Sequence, residues 1–277
     1  MHPVSDADPF CAEYFDDPFP TQAALRDAGP AVWLSRYGVW AVARHAEVRA
    51  VFLDWQTYCS RRGVGLSDFA REPPWRPPSP VLEADPPQHT RARTVLARVL
   101  SAAALRRLHD GFAAAADDLV TRLLDLREFD AIPAVAEAFP LQVFPDAVGL
   151  PAEGREKLLP YGNMVFNVFG PRNALFTDAV RDAGPLTHWI ASACQRENLA
   201  PAGFGADIHA AADAGELTAE EAPLVVRSLL TAGVDTTVSG IGAALAEAAG
   251  HQDAVDVFEE RRRVFMLKDF ALDPVEI

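Results

Sequence analysis

The stretch AGVDTT, residues 232–237, lies inside the most apolar part of the chain, residues 224–249. A helix that is apolar on nearly every side is a buried helix. Within this one, Arg227, Thr231 and Asp235 recur at four-residue steps and therefore share one helix face. A buried charge needs a partner or a cavity. The pattern predicts a core helix with a binding site along its polar face.

The start of this helix has its own signal. Thr218 is followed three residues later by Glu221, the pattern of a capping box in which the two residues exchange hydrogen bonds. Pro223 leaves open a later start, because proline fits best in the first turn. The sequence predicts a helix from about residue 219 to 249.

A second motif, DPPQHTRAR at residues 85–93, opens another predicted helix. Residues 31–43 are rich in Val and Trp around Gly38 and predict two short strands. Residues 60–84 contain five prolines, and an irregular segment of that length inside a domain is either a functional loop or a disordered one. Apolar residues at steps of three and four predict the remaining helices, at about 87–100, 105–126, 133–149, 153–168 and 176–198.

Composition excludes several classes of protein. The formal net charge of -14 disfavours nucleic acid as a partner. No secretory signal is visible at the start, and Arg227 and Asp235 argue against a membrane span. Three scattered cysteines (Cys11, Cys59 and Cys194) predict neither a disulfide framework nor a zinc cluster, so a cytoplasmic protein is expected.

Together, the motifs at 85–93 and 232–237, with the two strands before them, resemble the cytochrome P-450 family. The resemblance implies a mainly α fold: the N-terminal part of the P-450 fold with a small β-sheet near the N-terminus, its C-terminal third missing. It covers about residues 8–245, so we expect a partial P-450 domain at 1–248 and a tail outside the family at 249–277. Runs such as DWQTYCSRRGVGLSDF are similar to the bacterial subfamily that oxidises para-substituted benzoic acids.

The resemblance implies haem b as cofactor. His89 and Arg93, four residues apart, would hold its propionates, and the alternative is a solvated pair on a helix surface. Ala232 and Gly233 would make room where the distal helix opens over the iron. Asp235 and Thr236 would be the catalytic residues, relaying protons and holding the oxygen. A helix with a tolerated glycine and a capped Asp is the alternative for this second group.

In the benzoate-oxidising subfamily, polar groups bind the substrate carboxylate. The matching positions are Arg76, Ser79, Arg227, Ser228 and Thr231. An exposed side chain is the alternative for Arg76, because it lies in a Pro-rich loop. The family also implies a 2Fe-2S ferredoxin as redox partner. The ferredoxin would dock on a basic face formed by Arg91, Arg98, Arg106 and Arg107. The alternative is that this face only keeps the protein soluble.

The chain departs from the family after about residue 244. The glycine-rich loop F-x-x-G-x-H-x-C-x-G, which supplies the axial thiolate to the iron, does not occur, so no metal ligand is assigned. Residues 259–263 (EERRR) are expected to be a solvated charge run, and the tail weakly resembles the end of an enoyl-CoA hydratase. The resemblance predicts a monooxygenase that oxidises a small aromatic acid. This chain, however, is expected to be inactive and to bind no haem stably. The alternative is a non-catalytic helical fragment that binds a partner or a small carboxylate.

The tail also bears on folding. It is strongly charged, so we expect that it cannot cover all of five apolar residues of the distal helix: Leu229, Leu230, Val234, Val238 and Ile241.

Overall fold

The computed structural model describes residues 2–126 and 128–250, and the tail, with its charge run at 259–263, lies outside them. The mainly helical fold expected from the sequence is confirmed. Three strands precede most of the helices: β1 (Val4–Ser5), β2 (Val32–Leu34) and β3 (Val39–Ala41). The helices are α1 (Ala12–Asp16), α2 (Phe19–Ala28), α3 (His45–Leu53), α4 (Gln88–Val99), α5 (Ala102–Leu124), α6 (Ala138–Val148), α7 (Leu158–Val168), α8 (Ala174–Ala179), α9 (Ala183–Ala193), α10 (Phe204–Asp213), α11 (Glu221–Gly233) and α12 (Asp235–Gly250).

These elements form two compact units. The first comprises Met1–Arg93 and Asn163–Thr187, and the second comprises Thr94–Gly162 and the described chain from His188 onward. Helices α4 and α7 each contribute residues to both.

The first unit contains the sheet, in which β2 pairs with β1 in parallel and with β3 in antiparallel orientation. Trp33 lies opposite Trp40 in the register, and the two rings pack edge to face with centroids 5.3 Å apart. Gly38 has φ +64° in the connection between them, a conformation that favours glycine. The two strands predicted around Gly38 are confirmed, whereas β1 is too short to have been predicted.

The second unit is built from helices whose apolar faces pack together. Helix α5 begins after Ser101, whose hydroxyl accepts a hydrogen bond from the backbone N–H of Ala104 at 3.4 Å. A π-helical segment, Ile132–Glu137, leads into α6. The predicted helix at 176–198 is instead two helices, α8 and α9, followed by a short 3₁₀ turn, and α10 was not predicted.

The capping box at the start of α11 is confirmed. The backbone N–H of Thr218 donates to Glu221 Oε2 at 2.9 Å, and the backbone N–H of Glu221 donates to Thr218 Oγ1 at 3.2 Å. Pro223 is therefore in the first turn of the helix, where its missing N–H removes no hydrogen bond.

The long helix predicted from 219 to 249 is interrupted at Val234, which separates α11 from α12. Three of the five apolar residues singled out above (Leu229, Leu230 and Val234) are buried, so other elements of the protein cover them. Val238 and Ile241 in α12 are only half-buried. The apolar surface of the helix is therefore covered in its first half and partly open in its second.

Candidate functional site

The Pro-rich segment lies in the first unit and is irregular as predicted, with no helix or strand in residues 54–87. Its two ends are joined by Asp85, the first residue of the DPPQHTRAR motif. The Asp85 carboxylate accepts hydrogen bonds from Ser60 N at 2.8 Å, Arg61 N at 3.3 Å and Arg61 Nη1 at 2.9 Å. Burial alone would raise the pKa of Asp85, but these three bonds outweigh it and lower the pKa. Asp85 thus closes residues 60–84 into one loop.

Within this loop, Arg76 and Ser79 are both buried, so the alternative of an exposed Arg76 is wrong. The Arg76 side chain is 5% exposed. Its closest charged neighbour is Glu83, with Nη2 and Oε2 3.7 Å apart, and the ring centroid of Trp75 lies 5.2 Å from its Cζ. A separation of 3.7 Å is an ionic contact, too long for a hydrogen bond.

The Arg76 guanidinium therefore has N–H donors that are not used in hydrogen bonds. Among the described residues, the Arg76 guanidinium donates no hydrogen bond, and its Nε is buried without a partner. Buried polar groups normally have hydrogen-bonding partners, and a guanidinium carries five N–H donors arranged to match a carboxylate. This arrangement suits an anionic ligand.

Glu83 was not predicted as a site residue. Its Oε2 accepts a hydrogen bond of 2.6 Å from the backbone N–H of Ser79, and Glu83 N donates to Ser79 O at 3.0 Å. The Ser79 hydroxyl oxygen accepts from the backbone N–H groups of Val81 and Leu82, both at 3.1 Å. The result is a tight turn that holds Ser79 and Glu83 beside Arg76. Glu83 could not be predicted because only its burial distinguishes it from an ordinary surface carboxylate, and burial cannot be read from the sequence.

His89 and Arg93 lie on the same side of α4, one turn apart. His89 is half-buried and Arg93 is exposed. Neither side chain is hydrogen-bonded or ion-paired to any part of the chain that the structure describes, so both are available to an outside acceptor. This is compatible with the predicted role of binding haem propionates, and also with the alternative of a solvated pair.

In the second unit, Arg227, Ser228 and Thr231 are buried on α11. The Ser228 hydroxyl donates to Leu224 O at 2.8 Å, and the Thr231 hydroxyl donates to Arg227 O at 2.8 Å. Both hydroxyls keep acceptor capacity but use their only proton within the helix. The positive charge of Arg227 acts on the nearby thiol of Cys194. Of the predicted polar face, Arg227 and Thr231 are therefore buried within α11.

The AGVDTT motif surrounds the interruption between α11 and α12. Ala232 and Thr236 are exposed, and the Thr236 hydroxyl donates to Ala232 O at 2.7 Å across the break. Gly233 lies against the ring of Phe144 in α6, which occupies the space where a Cβ atom would be. Asp235 is half-buried, and burial raises the pKa of its carboxyl group. The motif thus places an acid whose pKa is raised by burial next to an exposed threonine.

The three cysteines lie in different settings. Cys194 is buried, and this burial raises the pKa of its thiol to about 12. Cys11 and Cys59 are half-buried, and the Cys11 thiol donates to Asp8 O at 3.2 Å. Within the described ranges, no group of three His, Cys, Asp or Glu residues is arranged to hold a metal ion.

Comparison with known proteins shows strong similarity, although no family model matches the chain. It is 60% identical over 239 residues to cytochrome p450 CYP199A2 of Rhodopseudomonas palustris, covering 86% of this chain and 58% of that protein. It is 26% identical over 251 residues to the vitamin D(3) 25-hydroxylase of Pseudonocardia autotrophica, covering 89% of this chain and 61% of that protein. The chain therefore spans less than two thirds of the length of these relatives.

Solved structures share the fold. The structure of P450BioI in complex with a fatty-acid-ligated acyl carrier protein superposes with a TM-score of 0.70 at 19% identity, covering 90% of this chain and 66% of that one. The epothilone B-bound cytochrome P450epoK superposes with a TM-score of 0.66 at 21% identity, covering 92% and 67%. In each superposition about a third of the solved chain has no counterpart here.

Proposed function

Because this chain belongs to the cytochrome P450 family, we propose that the full-length protein is a haem-dependent monooxygenase that acts on a small aromatic carboxylic acid. The observation that supports the substrate class is the buried Arg76 guanidinium, which donates no hydrogen bond among the described residues. An arginine in this setting is best satisfied by an anion that accepts two parallel hydrogen bonds, as a carboxylate does. The similarity to the cytochrome p450 of Rhodopseudomonas palustris supports the proposed monooxygenase reaction.

Each unit carries residues proposed to bind a carboxylate: Arg76 and Ser79 in the first, and Arg227, Ser228 and Thr231 in the second. Arg76 would supply charge-assisted hydrogen bonds, which are stronger than neutral ones. The Ser228 hydroxyl now donates to Leu224 O, so it must exchange this bond for one to the carboxylate. In the second unit, Arg227 would supply positive charge in a buried setting, where charge interactions are weakly screened.

Haem b is the cofactor of the family, and the free side chains of His89 and Arg93 fit its propionates. In the second unit, the exposed Ala232 is proposed to contact the haem, whereas the Phe144 ring fills the space beside Gly233. When bound, haem supplies the iron at which dioxygen is activated. The role of this chain would be to deliver protons, and the raised pKa of Asp235 keeps its carboxyl group protonated to higher pH than usual. The exposed Thr236 hydroxyl would exchange its hydrogen bond to Ala232 O for one to the oxygen.

The redox partner is proposed to be a ferredoxin. Arg106 and Arg107 on α5 are exposed, and the described residues include no partner for either side chain. Arg98 is a weaker candidate, because its guanidinium forms a bidentate ion pair with Glu216 at 2.6 and 2.8 Å. Two unpaired arginines on one turn favour docking of an acidic surface and would accelerate encounter at low ionic strength.

We also propose a cytoplasmic location. The helical stretch Glu221–Glu247 is long and apolar enough to span a membrane, with a mean hydropathy of 1.3 in its most apolar window. However, it includes Arg227 and Asp235, and a charge at mid-bilayer is costly. Burial of most of α11 within the protein supports its interpretation as a core helix.

The substrate proposal is tested in a restored full-length protein, in which residues 1–248 are joined to the remaining length of the Rhodopseudomonas palustris relative. Calorimetry measures binding of 4-methylbenzoate and of its neutral amide. Arg76→Ala and Arg227→Ala should each weaken binding of the acid by about tenfold or more and binding of the amide by much less.

The matched control is Arg172→Ala. Arg172 is an exposed arginine of the first unit that pairs with Glu72 at 2.8 Å, and its loss should leave both ligands unaffected. Equal weakening of acid and amide by the two buried-arginine variants would contradict a carboxylate site.

A further inference from the structure

We propose that Glu83 is a built-in competitor for the substrate carboxylate, which lowers the affinity of Arg76 for acids without affecting neutral ligands. The proposal rests on the proposed function, because it assigns Arg76 to the carboxylate. Glu83 is a positioning residue: it acts through Arg76 and Ser79 and need not touch the substrate.

The geometry places Glu83 where a ligand carboxylate would compete. Its side chain is 2% exposed, and that of Arg76 is 5% exposed, so water screens the pair very little. Glu83 Oε2 lies 3.7 Å from Arg76 Nη2 and is hydrogen-bonded at 2.6 Å to the backbone N–H of Ser79. The carboxylate therefore compensates the charge of Arg76 without using its hydrogen-bond donors.

This division of roles has two consequences. Burying the Arg76 guanidinium without a negative partner would strongly destabilise the protein, so Glu83 stabilises the site when no ligand is bound. When an acid binds, two carboxylates share one guanidinium, and their mutual repulsion weakens binding. A neutral amide brings no second negative charge, so Glu83 should have little effect on it.

Glu83→Gln separates charge from structure. The Gln side-chain oxygen can still accept the hydrogen bond from Ser79 N, so the turn is preserved while the charge is removed. In the restored full-length protein, we expect Glu83→Gln to tighten binding of 4-methylbenzoate by about tenfold. Binding of 4-methylbenzamide should change by less than about twofold. Glu83→Asp, which keeps the charge, should bind both ligands like the parent protein.

The control is Glu72→Gln, which removes an exposed carboxylate from the same loop and should leave the affinity of both ligands unchanged. Equal weakening of acid and amide in Glu83→Gln would show a merely structural role and overturn the proposal, as would unchanged binding of the acid. If Glu83→Gln does not tighten binding of the acid while Arg76→Ala still weakens the acid more than the amide, only the proposed role of Glu83 is refuted. If Arg76→Ala shows no discrimination either, the carboxylate site itself is wrong.

Discussion

Asp235 lies directly against the backbone of Gly162. A Cβ atom added at residue 162 would be 3.1 Å from the Cβ and 3.4 Å from the Cγ of Asp235. Gly162 is in α7, and Asp235 is the first residue of α12. The absence of a side chain at Gly162 therefore allows the proposed proton donor to occupy its half-buried position.

Replacing Gly162 with alanine should crowd this contact. The nearest atom is the Asp235 Cβ, which cannot turn away as the end of a long side chain can. Crowding of a packed site typically costs about 1–3 kcal/mol. Gly162→Ala should therefore be less stable than the parent protein by up to this amount, after allowing for the higher helix propensity of alanine.

The matched control for this variant is Gly111→Ala. Gly111 is inside α5, and a Cβ atom there would meet no atom within 4 Å. That substitution should stabilise the protein by about 0.5–1 kcal/mol, because alanine is the better helix former. Thermal unfolding of the restored full-length protein compares the two, and equal stabilities would contradict the tight contact between Gly162 and Asp235.

Gly233 and Phe144 should be energetically coupled. A Cβ atom at residue 233 would lie 2.2 Å from the Phe144 ring, so Gly233→Ala must displace that ring. We expect a loss of about 1–3 kcal/mol in stability, and a smaller loss when Gly233→Ala is introduced into a Phe144→Ala background. A double-mutant cycle measures this coupling. Gly240→Ala is the control, since a Cβ atom there meets nothing within 4 Å, and additive effects of the first two changes would refute the contact.

Asp85 should make stability depend on pH in the acid range. Its folded-state pKa is lowered, so its contribution to stability is complete above the unfolded pKa of about 3.9 and is lost as the pH falls through the folded value. Asp85→Asn should cost about 1.5–3 kcal/mol at pH 7, because hydrogen bonds to a charged group are lost. Melting curves should show this difference constant above about pH 5 and shrinking below about pH 4. A difference that persists unchanged into acid would mean that the charge of Asp85 plays no part.

The 277-residue chain by itself is expected not to form a thiolate-ligated haem complex. Its one fully buried thiol, Cys194, has a pKa raised to about 12, and a thiol must lose its proton to bind iron. The reduced chain with haem and carbon monoxide should therefore lack the absorption band of a cysteine-ligated haem, and the restored full-length protein should show it. A band at one haem per chain in the 277-residue protein would disprove this expectation.

Local patterns were sufficient for much of the fold. The hydrogen bonds of the Thr218–Glu221 capping box join residues three apart, and the strands around Gly38 are joined by a short turn, so both could be predicted from sequence. The periodicity of α5 predicted a helix at 105–126, within a few residues of Ala102–Leu124. Such features depend on neighbours along the chain, which the sequence displays directly.

The sequence alone also determined the family, because the motifs at 85–93 and 232–237 occur in the expected order and spacing. Only the tertiary structure decided how the site residues are used. It placed Arg76 in a buried position, paired it with the unpredicted Glu83, interrupted the distal helix at Val234 and set Asp235 against Gly162. Burial and desolvation arise from atoms distant in the chain, and it is these surroundings that decide whether an arginine or an aspartate is a solvated surface group or part of a site.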